Sequence, residues 1–139
     1  MTKPTYFAPR GGLPAQTELL TGRAVFTEAY AVIPKGVMMD IVTSYLPFWN
    51  DTRLWIIARP LSGFAETFSQ YIMEVAPGGG SDQPELDPSA EGVIFVTEGE
   101  VTIELGGETH ILHAGGYAFL PPSSGWRLHN RGQVEARFH

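Results

Sequence analysis

The chain of 139 residues contains no cysteine. This absence excludes disulfide bonds, zinc fingers and ribbons, iron–sulfur clusters and catalysis by a thiol. Any bound metal would therefore need histidine, aspartate or glutamate ligands. A chain of this length favours one domain, which can bury a core without metal or disulfide cross-links.

Long apolar runs are missing as well. Runs such as Leu54–Ala58 fall far short of the ~20 residues that a membrane-spanning helix needs. The first residues, Met1–Tyr6, lack the apolar segment of a secretory signal. We therefore predict no membrane partner and a cytoplasmic location.

Positive charge is scarce, with 9 Lys+Arg against 15 Asp+Glu and a net charge of −6. No lysine or arginine lies between Arg59 and Arg127. Because nucleic acids are bound by clustered cations, no nucleic-acid partner is predicted. The candidates for holding a small anionic ligand are the arginines of the terminal segments: Arg10, Arg23, Arg53, Arg59, Arg127, Arg131 and Arg137.

Glycine and proline are abundant, at 16 and 11 residues, and only 17% of residues are charged. About ten short strand-like segments at 8–12 residue spacing, without a helical period, predict an all-β sandwich or barrel. The clearest pair is Val101–Leu105 and Glu108–Leu112, joined by Gly106-Gly107, a pair favoured in type I′ hairpin turns. Pro77–Pro84 is predicted to be a loop that no strand can continue through.

The chain is expected to divide into an arm and a barrel. Residues 1–20 are rich in proline, glycine and threonine and show no strand or helix period, so they predict an irregular N-terminal arm. Residues 21–139 then form a single barrel. The last segment, Gln133–His139, stops in mid-alternation without a turn, so we expect this barrel to be half of a longer parent protein.

The turn motifs resemble those of the cupin superfamily, jelly-roll barrels (double-stranded β-helices) whose metal is held by histidines and one glutamate. The second cupin motif keeps its frame here, with Gly115, Pro121 and Asn130 in place, but its histidine position carries Trp126. Counted back from Gly99, the glutamate position of the first motif falls on Gly92. Its histidine positions fall on Glu85 and Asp87 or, with the other spacer, on Leu86 and Pro88.

These replacements remove the ligands that the cupin resemblance implies. Tryptophan cannot bind a metal, and glycine has no side chain to offer. We therefore predict no metal, no cofactor and no catalytic residue at these degenerate ligand positions. One route stays open, in which Glu85, Asp87 and Glu91 would supply oxygen ligands to a hard cation.

The histidines form no metal-binding or catalytic pattern. His110 and His113 are spaced to lie on opposite faces of a strand and are predicted to be surface residues. His129 alternates with Trp126 and is predicted to point out of the barrel. His139 is the last residue, and no Ser-His-Asp or paired-carboxylate group can be assembled.

A narrower resemblance covers most of the chain. It is similar to the first half of (S)-ureidoglycine aminohydrolase, a bicupin family also described as glyoxylate-induced protein. The similar segments are the N-terminal arm, Ala31–Val37, Phe68–Tyr71, Gly78–Gly80, Glu91–Gly99 and Gly116–Pro122. The resemblance implies a hydrolase of purine and allantoin catabolism that releases ammonia from ureidoglycine. It also implies that manganese is held by a Glu/His/His/Gln set in the second cupin, and that the first cupin is metal-free.

The leading hypothesis is a non-catalytic N-terminal cupin that packs against the second cupin of the same protein and helps to form a homo-oligomer. Whether this half has any activity of its own is left open. One alternative is a stand-alone, non-catalytic cupin that binds a small ligand or acts as a dimerisation module. Another is a metal-dependent cupin enzyme with carboxylate ligands, which requires Glu85 or Asp87 to face the barrel axis.

Overall fold

The computed structural model describes residues 25–26, 29–33, 45–58 and 67–139. The chain divides into two units, residues 1–43 with 57–70 and residues 44–56 with 71–139. The predicted arm, residues 1–20, lies outside the described residues. In the described ranges no helix is long and apolar enough to cross a membrane.

All regular structure in the described ranges is β-strand. In the first unit, β1 (Val25–Phe26) pairs with β2 (Ala31–Val32) in antiparallel fashion. The other strands are β3 (Asn50–Ala58), β4 (Gln70–Ser81), β5 (Gly92–Glu98), β6 (Glu100–Leu105), β7 (Glu108–His113), β8 (Tyr117–Leu120), β9 (Arg127–His129) and β10 (Ala136–Phe138).

These eight later strands form one sheet in the order β7-β6-β9-β4-β10-β5-β8, with β3 also paired to β4. Strands far apart in sequence lie side by side, and the pairings along this order are antiparallel. The sheet curls into a nearly closed barrel of the jelly-roll type. The predicted all-β jelly-roll class is confirmed.

Side chains from most of the strands meet inside the barrel. Leu54, Val75, Val96, Val101 and Leu128 are almost fully buried in one apolar cluster. Alternation along each strand produces this core, because every second side chain points inward. Burying each such side chain stabilises the fold by roughly 1.5–3 kcal/mol.

The predicted Gly106-Gly107 hairpin is present. β6 and β7 pair from Glu100↔His113 to Leu105↔Glu108, so the two glycines form the turn. Both have positive φ, 61° and 81°. A type I′ turn requires positive φ at both central positions, which explains the glycine pair.

The loop predicted at Pro77–Pro84 is wrong for its first half, because β4 continues to Ser81. Gly80 pairs with His129 of β9, and the Asn130 amide donates to the Gly79 carbonyl at 2.9 Å. A Cβ on Gly80 would collide with the Leu128 carbonyl oxygen. The glycines are needed because two backbones approach closely, a use of glycine inside strands that resembles a loop signal in sequence.

Gly80→Ala is expected to lower the free energy of unfolding by about 3 kcal/mol or more. The added methyl group would overpack the β9 backbone, and φ is +139° at this residue, which disfavours any side chain. Urea unfolding followed by circular dichroism measures the change.

Gly106→Ala is the matched control. It also places a side chain at positive φ, +61°, but in open space with nothing within 4 Å. A loss of only about 1–2 kcal/mol is expected there. Equal losses for the two variants would contradict the close approach of β9 to β4.

Candidate functional site

Three of the four degenerate cupin ligand positions, all but Gly92, line one cleft of about 290 Å³ in the second unit. Residues 82–88 form one side and residues 121–126 the other. The Ser123 hydroxyl donates to the Pro88 carbonyl at 2.8 Å and joins the two loops. The structure brings Glu85, Asp87 and Trp126 to this loop cleft.

Apolar groups occupy the two replaced positions that cupins use for histidine and glutamate. Trp126 is half-buried and packs against the barrel core. Gly92 pairs with Leu120 of β8, and a Cβ placed on Gly92 would lie 3.5 Å from the Leu120 side chain. The direction a glutamate ligand would take therefore leads toward the apolar side chain of Leu120.

The carboxylates at the cleft accept hydrogen bonds from residues of their own loop. Glu85 accepts a hydrogen bond from the Asp87 amide at 2.8 Å. Asp87 accepts from the Ser89 hydroxyl at 2.6 Å and from the Ser89 amide at 2.8 Å, and these bonds hold the pKa of Asp87 below its ordinary value. Both side chains, and that of Glu91, are exposed to solvent.

The residues at the loop cleft do not fit a manganese ion. Cupin-type manganese requires several imidazole and carboxylate donors that converge on one point. Within the described part of the chain, no three His, Asp or Glu side chains lie close enough together to hold a metal. The cleft does hold one unused polar group, because the buried Ser124 hydroxyl has no hydrogen-bond partner in the described structure.

A second groove, of about 460 Å³, lies along β9 and brings together residues that the sequence did not link. His129 Nε2 lies 3.2 Å from Asp82 Oδ1, and Arg131 lies 2.5 Å from Glu104. His129 alternates with buried Leu128 and so points away from the core, as predicted. The predicted loop at Pro77–Pro84 hides the approach of Asp82 to β9, because Asp82 directly follows the end of β4 at Ser81.

The other histidines play no common role. His110 and His113 are exposed, as predicted, with side chains 51% and 74% accessible. Each lies near one glutamate, His110 3.6 Å from Glu108 and His113 3.4 Å from Glu100. Burial, with the nearby charge of Arg137, lowers the pKa of His139.

The arginines predicted as candidates for anion binding have different partners in the structure. Arg53 and Arg137 both bind the carboxylate of Glu74, and Arg131 binds Glu104. Arg127 lines the β9 groove. The candidates outside the described residues are Arg10, Arg23 and Arg59.

Glu74 is the most constrained charge among the described residues. Its side chain is 1% exposed, on the face of β4 opposite to buried Val75. Arg53 donates from Nε at 2.7 Å, and Arg137 donates from Nε at 3.1 Å and from Nη2. Both guanidinium groups also lie over the Trp55 ring, 5.3 Å and 5.8 Å from its centre.

The balance of forces on Glu74 keeps it ionised. Burial acts to raise its pKa, but the hydrogen bonds from Arg137 and Arg53 outweigh burial, and the pKa lies below the ordinary value. The pKa of Arg137 is correspondingly raised by its hydrogen bond to Glu74. Because a buried carboxylate is tolerated only when it is paired, the three charges act as one structural group.

Residues 71–139 match the cupin domain family. The nearly closed jelly-roll barrel and the surviving frame of the second motif agree with this match. The chain therefore contains a cupin domain.

Among cupins, this chain is related to ureidoglycine aminohydrolase and glyoxylate-induced protein. It is 28% identical over 109 residues to (S)-ureidoglycine aminohydrolase of Escherichia coli K12, across 77% of this chain and 40% of that protein. It is 60% identical to a Pseudomonas aeruginosa crystal structure described as a glyoxylate-induced protein, with a TM-score of 0.78, across 98% of this chain and 49% of that one.

A third relative shows the fold alone. The crystal structure of Ylba from Escherichia coli is 23% identical, with a TM-score of 0.75, across 90% of this chain and 50% of that one. The chain thus spans half or less of the length of each of these relatives.

Glu74→Gln is expected to lower the free energy of unfolding at pH 7 by about 3 kcal/mol. Removing one partner of a buried ion pair typically costs 3–5 kcal/mol, and the partial exposure of both arginines places the loss at the lower end. The matched control is Glu104→Gln at the exposed pair with Arg131, where a change below about 1 kcal/mol is expected. Similar losses in urea titrations would contradict the special role of Glu74.

The contribution of Glu74 is expected to disappear in acid. Its folded-state pKa is lowered from the ordinary 4.5, so the unfolded chain takes up the proton first as the pH falls. The stabilisation is complete above pH 4.5 and is lost as the pH falls through the folded-state value. The difference in unfolding free energy between wild type and Glu74→Gln should therefore be constant above that pH and shrink below it. A difference that grows in acid would contradict this sign.

Proposed function

We propose that this chain is the metal-free, non-catalytic N-terminal cupin of a two-cupin protein related to ureidoglycine aminohydrolase. Its role is structural, to pack against the second cupin and to help form a homo-oligomer. The observation that carries this proposal is the replacement of the cupin ligand positions by Trp126, Gly92 and loop carboxylates.

The chemistry of the loop cleft supports a non-catalytic role. A catalytic metal acts as a Lewis acid only when several donors fix it and leave one position open for substrate. Here the oxygens of Glu85 and Asp87 already accept hydrogen bonds from their own loop. Trp126 supplies an apolar surface where a cupin histidine would supply a nitrogen.

The lengths of the relatives support the assignment to one half of a larger protein. The Pseudomonas aeruginosa relative matches nearly all of this chain over only 49% of its own length. In the parent protein proposed here, the other half would bind manganese and hydrolyse ureidoglycine to ureidoglycolate and ammonia, in the cytoplasm. This half would contribute surfaces and stability.

The test is metal content together with ammonia release. The purified 139-residue chain is dialysed against manganese, then against buffer, and analysed by plasma mass spectrometry. It is then assayed with ureidoglycine, and the Escherichia coli enzyme treated in the same way is the positive control. We expect far less than one manganese per chain and no ammonia above the uncatalysed rate.

Stoichiometric manganese with ammonia release would overturn the proposal. It would favour the metal-dependent cupin with carboxylate ligands instead. In that case Glu85→Gln and Asp87→Asn should abolish binding, while Glu108→Gln, on an exposed strand away from the cleft, should not.

A further inference from the structure

Strands β5 and β8 carry four large apolar side chains on their solvent-facing side. Val93 and Phe95 of β5 are 54% and 45% exposed, and Tyr117 and Phe119 of β8 are 60% and 47% exposed. The register Val93↔Phe119 and Phe95↔Tyr117 makes them two adjacent cross-strand pairs. We call these four side chains the apolar strip.

The apolar strip is more than the scattered exposure that every protein shows. Single exposed apolar residues such as Ile111 of β7 are normal, and the residues two positions away on the same strand face, Thr109 and His113, are polar. A contiguous group of three aromatic rings and a valine is different, because the largest contiguous apolar patch of a protein is often functional.

The same face of the sheet continues with residues typical of interfaces. Beyond β5 lie β10, β4 and β3, in that order. Their outward side chains include Arg137, Glu74, Arg53 and Trp55, the group in which Glu74 is already neutralised. Aromatic residues and arginine are enriched at protein interfaces and acidic residues are depleted, which contrasts with a chain whose net charge is −6.

The apolar strip alone is too small to form a stable interface between two proteins. Its three aromatic rings, each about half exposed, offer roughly 300 Å², since an aromatic side chain buries 150–250 Å² in full. A standard interface buries about 800 Å² on each partner. A stable contact centred on the strip must therefore reach across β10 and β4 toward Trp55.

We propose that this face, centred on Val93, Phe95, Tyr117 and Phe119, docks a second copy of this chain, an inference that deepens the proposed structural role and rests on it. Because the apolar strip carries no charge, two copies of the chain related by a two-fold axis can place their strips against each other without like-charge repulsion. At the edge of the strip, Arg137 and Glu98 lie 3.8 Å apart and offer both signs of charge to a symmetric partner.

Sedimentation velocity over a concentration series tests the proposal. We expect wild type to form a concentration-dependent dimer. Phe95→Asp and Phe119→Asp should each raise the dimer dissociation constant about tenfold or more, because a charge would be buried at the centre of the contact. Tyr117→Ser is a milder third variant, and urea midpoints confirm that each variant is folded.

The matched control is Ile111→Asp, which adds the same charge at an apolar side chain 57% exposed on β7. It should leave the dissociation constant unchanged. A wild type that is monomeric throughout the series would overturn the proposed surface, as would a dimer equally weakened by Ile111→Asp or unaffected by all strip variants. None of these results alters the metal analysis, so failure of the surface is distinguishable from failure of the metal-free assignment.

Discussion

The barrel depends on the contact between β9 and the glycine-rich end of β4. In the strand order, this contact joins β7, β6 and β9 to β4, β10, β5 and β8. Gly78 donates to the Asn130 carbonyl at 2.8 Å, and Asn130 donates back to Gly79 at 2.9 Å. A side chain at Gly80 would meet the β9 backbone. Since both the loop cleft and the β9 groove are lined from this region, their positions follow from a backbone approach that only glycine permits.

Features that depend on residues close together in the sequence could be predicted, whereas features that depend on contacts between distant strands could not. The Gly106-Gly107 hairpin was predictable because its turn and both strands are contiguous, and the glycine pair itself selects the turn. The end of β4 was not, because its glycines are explained by β9, far along the chain. The cupin spacing named Glu85, Asp87 and Trp126 as degenerate ligand positions, and all three line the loop cleft. The partners of Glu74 were hidden for the same reason as β4, since they come from strands paired only in the fold.

The frame residues of the second cupin motif can be kept when the metal ligands are replaced, because their hydrogen bonds hold the backbone in place. Asn130 is fully buried, its amide group donates to the carbonyls of Val75 and Val134 at 2.8 Å, and its oxygen accepts from Gly132. Gly115 donates to the carbonyl of Val96 at 2.8 Å. These bonds do not involve a metal, so ligand positions can change while they persist. Trp126 then adds apolar contact with the core at the histidine position.

The buried ion pairs and the exposed aromatic side chains of this barrel both lie on its outer face. Burying Glu74 beneath two arginines costs desolvation that a packed apolar group would avoid, so the ion pairs by themselves are weak evidence of stabilisation. What they do supply is a surface around Trp55 in which the carboxylate is already paired, on a strongly acidic chain. The apolar strip lies on the same sheet face. Both features reduce the cost of covering that face with protein, because the Glu74 carboxylate is already paired and buried there. The replaced ligand positions and the character of the outer face are both consistent with the structural role proposed above.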